Sequence, residues 1–97
     1  MPAPADCTTK EEIRTEIDRL DGEILELFAE RFAYVRRMAE IKSDPADAYD
    51  AGRIDHILAR VRFGAVSRGL DPDLFEAMWK SMIDWNVAYE ERTIGKG

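Results

Sequence analysis

Two cations eleven residues apart, Arg31 and Lys42, are the part of this chain best suited to chemistry. At about 100° per residue, eleven residues of helix return to within roughly 20° of the starting direction and advance about 16 Å. Val35 and Met38 lie between them on the same face. Two positive groups with an apolar floor between them suit a small, compact dianion, each end held by charge-assisted hydrogen bonds. Glu90 is the second outlier. It falls within about 20° of Ile83 and Trp79 on a helical wheel and so shares their apolar face. A carboxyl there is costly to ionise unless a cation faces it. Glu90 is therefore either the ion-pair partner of Arg31 or Lys42, or a protonated donor turned towards a ligand. Asn86, four residues earlier, is grouped with it as a binding residue.

The totals narrow the setting in which such a site works. Ninety-seven residues make one domain, 1–97, with too little chain for two separate cores. An apolar share of 45% is that of a globular protein, and a net charge of −6 argues against a general binder of nucleic acid or of an anionic membrane. Any anionic ligand must then be met by local cations. Cys7 is the single cysteine and His56 the single histidine, so neither an internal disulfide nor a histidine-rich metal site is expected. His56 is expected on a solvated helix face. The opening MPAPADCTTKEE has neither a basic nor an apolar stretch of the kind that directs export. A cytoplasmic protein is expected.

Three helices must position these residues. In the first, Thr8 with Glu11 or Thr9 with Glu12 fits a capping box, and the apolar positions Ile13, Ile17, Leu20, Ile24, Leu27, Phe28, Val35 and Met38 follow helical spacing. All eight fall within roughly 60° of the direction of Arg31, which places Arg31 and Lys42 in the middle of an apolar stripe. A helix from Thr8 to Lys42 would span about 50 Å, whereas a compact monomer of this length would be about 32 Å across. The economical cover for an apolar stripe on an overhanging helix is a second copy of the chain, so an intertwined homodimer is expected. Residues 43–50 read as a loop, since Pro45 disfavours helix at Asp44. A short second helix starts with Asp50 as N-cap and runs to roughly Phe63, with Ile54, Ile57, Leu58 and Val61 as its apolar stripe. A third, of medium length, starts with Asp71-Pro72 and runs to about Arg92, burying Phe75, Trp79, Met82 and Ile83. Residues 1–7 and 93–97 are expected to be loose. The fold class is all-α.

Periodicity alone leaves Arg31 open between a buried ion pair and a ligand site. Arg14, 17 residues before it, stands about 25 Å away along the axis and roughly 100° around it, out of reach of the same site. In an antiparallel dimer, Arg14 could instead complete the partner's site. Arg53, at the start of the second helix, reads either as a solvated charge or as a group closing over the pocket.

The stretch IRTEIDRLDGEILELFAERFAYVRRMAEIK, the loop, Arg53 and a polar residue at position 90 together resemble the all-α chorismate mutase family over nearly the whole chain. Arg14, Asp18, Asp21, Arg31 and Lys42 match in type and spacing. The resemblance implies an intertwined dimer of three-helix chains, each pocket receiving Arg14 from the partner. It implies that Arg31 and Arg53 hold the carboxylates of the substrate and that Lys42 donates to its ether oxygen. Val35, Met38, Ile54, Asn86 and Glu90 would complete the pocket. The implied activity is conversion of chorismate to prephenate in the shikimate pathway of aromatic amino acid biosynthesis. That pericyclic rearrangement needs no nucleophile, metal or cofactor, only a held conformer and positive groups beside the ether oxygen.

Two departures bear on the substrate. Typical mutases carry a glutamate directly after the arginine of the second helix, where this chain has Ile54. Ile54, the short interval from Lys42 to Arg53 and the opening DCT also resemble the isochorismate-pyruvate lyase branch, which releases salicylate and pyruvate from the same fold. The polar position of the third helix is usually glutamine, where this chain has Glu90. Ionised, Glu90 would oppose the negative charge developing on the ether oxygen, so it is expected to act with its proton on. The mutase is favoured over the lyase, with an amino-substituted chorismate as a lesser possibility. The reading from another class is a non-catalytic helical dimerisation module, which accounts for the stripe but not for two cations at its centre.

Overall fold

The computed structural model describes residues 2–95, and its regular elements are helical throughout: α1 (Lys10–Ile41), α2 (Ala51–Ser67) and α3 (Pro72–Thr93), with 3-10 turns at Pro4–Asp6 and Pro45–Ala48. The all-α expectation holds. The chain divides into two compact units, residues 1–34 and 35–97.

In the first unit, the start of α1 is fixed by side chains. Thr9 Oγ1 accepts the backbone N–H of Glu12 at 3.1 Å, and the Glu12 carboxylate accepts the hydroxyls of Thr8 and Thr9 at 3.0 and 3.1 Å. Of the two capping boxes the sequence allows, Thr9 with Glu12 forms. These donors, Thr8 foremost, hold the Glu12 carboxyl below its ordinary value because they stabilise its ionised form. On the polar face of α1, Arg19 bridges Glu16 and Glu23. The apolar stripe lies open, with Ile13, Ile17, Leu20 and Ile24 each about half exposed. Residues 4–6, expected to be loose, form a turn in which the Cys7 N–H donates to the Pro4 carbonyl.

In the second unit, Asp44 caps the turn Pro45–Ala48, and Asp50 caps α2 by accepting the Arg53 N–H at 3.0 Å. The second helix does not stop near Phe63. It continues through Gly64 to Ser67, because only at Gly69 does the backbone turn left-handed, with φ of 73°. There the Leu70 N–H donates to the Ala65 carbonyl and the Gly69 N–H to the Val66 carbonyl, the paired bonds of a Schellman stop. Asp71 caps α3 through the Asp73 N–H, with Pro72 in the first turn. Arg62 of α2 ties the two helices together, 2.9 Å from Asp73 and 2.6 Å from Glu76. Ile54, Ala65 and Ile83 are buried as α2 packs on α3.

One expectation at the end of α3 fails. Residues 93–97 read as fraying, yet Ile94 has the most buried large side chain among the described residues, at 2% exposure. It packs with Ala39 of α1 and Ala48 of the 3-10 turn, with Val87 and Tyr89 against them. Lys96 and Gly97 lie outside the described residues. His56 is exposed, as expected.

Candidate active site

Within the second unit the fold brings together two residues that stand 48 positions apart. Lys42 follows the last residue of α1, its N–H held by the Met38 carbonyl at 2.9 Å. Its Nζ donates to Oε2 of Glu90, in the last turn of α3, at 3.1 Å. Glu90 is buried, as its place on the apolar face predicts, and it is the ion-pair partner of Lys42. The Glu90 side chain is 9% exposed and that of Lys42 24%, so the pair is only partly screened by water. Removing one partner of so buried a pair strands the other, at a cost on the order of 3 kcal/mol. An ammonium carries three N–H donors, and the bond to Glu90 uses one of them. Lys42 thus retains donors for a ligand oxygen.

The other predicted residues of this unit surround the pair in sequence and differ in exposure. Val35 is half-buried and Met38 exposed, the latter more open than a closed apolar floor requires. Arg53 projects from the first turn of α2 with its side chain exposed, while Asp50 fixes its backbone. Ile54, next to it in the first turn of α2, is buried and offers no polar side-chain atom. Asn86 is half-buried one turn before Glu90. In the first unit, Arg14 is exposed and Arg31 half-buried, both on α1.

Over residues 13–91 the sequence matches the family described as chorismate mutase type II. The chain belongs to that family. It is also 31% identical over 88 residues to the isochorismate pyruvate lyase of Pseudomonas aeruginosa, an alignment covering 91% of this chain and 87% of the relative. Together the two likenesses support the all-α chorismate mutase family, with its isochorismate-pyruvate lyase branch, and an enzyme of that fold.

Sequence reasoning overlooked Ile94 and the bridging role of Arg62. Ile94 stands eleven residues after Ile83 and so on the same helical face, a signal masked by the Thr-Ile-Gly composition that reads as a fraying end. Arg62 gives no signal of its own, because its partners Asp73 and Glu76 lie across a turn whose position depends on where α2 stops.

Proposed function

We propose that this protein is a chorismate mutase, converting chorismate to prephenate by electrostatic preorganisation. The observation that carries the reading is the Lys42–Glu90 pair, a polar centre set between helix ends in a chain of the chorismate mutase type II family. In this reaction one ether C–O bond breaks as a C–C bond forms, and negative charge grows on the ether oxygen. Lys42 donates an N–H to that oxygen, and Arg31 and Arg53 hold the two carboxylates in the folded, reactive conformer. Fixed arginine forks suit carboxylates better than mobile ammonium groups do. Arg14 comes from a second copy of the chain, whose packing would cover the half-exposed stripe of Ile13, Ile17, Leu20 and Ile24. The functional unit is on this reading an intertwined homodimer acting on a small dianion, with neither metal nor cofactor in the chemistry.

A second reading has its own support. Buried Ile54 leaves no carboxylate for a ring hydroxyl at that position, and the Pseudomonas aeruginosa relative is an isochorismate pyruvate lyase. Isochorismate in the same pocket would break the same ether bond while a ring hydrogen moves to the departing fragment, giving salicylate and pyruvate. Incubating the purified protein separately with chorismate and isochorismate and identifying the products distinguishes the two. Prephenate supports the mutase, salicylate with pyruvate supports the lyase, and neither product returns the chain to a dimerisation module.

A further inference from the structure

The proposed chemistry needs Lys42 and Glu90 at a set separation, yet each stands at an end of a helix, where backbone hydrogen bonding runs out. The structure meets this need with one side chain. Ile94, four residues after Glu90, fills a socket made by two alanines: Ala39, three residues before Lys42, and Ala48, in the turn between Lys42 and Arg53. The smallness of both alanines leaves the room that Ile94 occupies at 2% exposure. Backbone contacts fix its approach. The Ile94 N–H donates to the Glu90 carbonyl at 2.8 Å, and Thr93 Oγ1 donates to the Tyr89 carbonyl at 2.7 Å. Gly95 then turns left-handed, with φ of 76°, and a Cβ there would stand 3.6 Å from the carbonyl oxygen of Ser43, the residue after Lys42. One plug thus touches the end of α1, the 43–50 loop and the end of α3.

We propose that Ile94 is a positioning residue that locks these three segments together and so sets the Lys42–Glu90 separation and the start of α2, from which Arg53 projects. The role in turnover rests on the reading of Lys42, Glu90 and Arg53 as active-site groups; the lock itself does not.

The test compares Ile94→Ala, the conservative Ile94→Val and, as a destabilised control remote from the plug, Arg62→Ala. Two measurements are made on each full-length protein: amide hydrogen exchange at Ala46 and Asp47, whose N–H groups bond to Asp44, and kcat and KM. In Ile94→Ala, exchange at Ala46 and Asp47 should quicken about tenfold while amides in the middle of α2 keep their rates. Displacement of the reacting groups should lower kcat on the order of 10- to 100-fold with KM changed far less. Ile94→Val should restore most of both, and Arg62→Ala should lower the melting temperature without changing kcat. Unchanged exchange in the loop overturns the proposal, as does an equal kcat loss in Ile94→Ala and Arg62→Ala. If Ile94→Ala does not fold, Ile94→Val supplies the same comparison at smaller amplitude. If wild-type protein acts on neither chorismate nor isochorismate, the function proposed above falls, and loop exchange alone decides for or against the lock.

Discussion

Lys42 Nζ stands 3.1 Å from Oε2 of Glu90, so the cation nearest the expected chemistry is already shared with a buried carboxylate. A carboxylate in that place divides the ammonium's field between itself and any ligand oxygen. A neutral side chain in the place of Glu90 would leave that field to the ligand.

Glu90→Gln keeps the size of the side chain and removes its charge from beside Lys42. With chorismate as substrate, kcat/KM of that variant should exceed that of wild type, because no negative charge then faces the ether oxygen on the proposed reading. Steady-state kinetics on the two proteins check this, and an equal or lower value for the variant would contradict it.

Arg31→Ala separates an enzyme from an interaction module. Loss of a charged group proposed to hold a substrate carboxylate should lower kcat/KM by about 10²- to 10³-fold, the scale seen when one preorganised donor is removed. Circular dichroism should show the same helix content. A variant that keeps turnover while losing stability would assign Arg31 to structure.

The start of α1 gives a prediction about stability. Thr9→Ala removes the hydroxyl that caps the Glu12 N–H and should cost about 1 kcal/mol. Thr8→Val acts differently, through Glu12. Because its carboxyl is held below its ordinary value of 4.5 in the folded chain, the Thr8 contribution is present above that pH and is lost as pH falls through the lower, folded value. Melting curves of Thr8→Val and wild type should therefore differ at neutral pH and converge in acid.

The exposed stripe predicts assembly. Replacing Leu20 and Ile24 together by Asp places charges where the second copy would pack, and sedimentation should show a dimer for wild type and a monomer for the variant at micromolar concentration. A monomeric wild-type mass would contradict the proposed dimer and, with it, the placing of Arg14.

Much of this arrangement was legible in the residues. Periodicity placed Glu90 on the buried face of α3, and the short acids Asp50 and Asp71 marked two helix starts that the structure caps as expected. The failures have a common physical origin. The second helix reads as ending near Phe63, just before a glycine, but a glycine ends a helix only where the backbone turns left-handed, and that happens at Gly69. Residues 93–97 read as loose because the burial of Ile94 after the last helical turn depends on two distant alanines, which local composition cannot report. The Lys42–Glu90 pair lay between these cases. The sequence offered Glu90 either Arg31 or Lys42, and it took tertiary packing to bring Lys42 to it.

Acceleration of a pericyclic reaction of a chorismate-type dianion is tested by the initial rate of chorismate loss, with prephenate identified as product, for wild type and Arg31→Ala at equal concentration. The proposal expects saturable conversion by wild type that collapses in the variant. Conversion no faster than in buffer, with chorismate or with isochorismate, would contradict it.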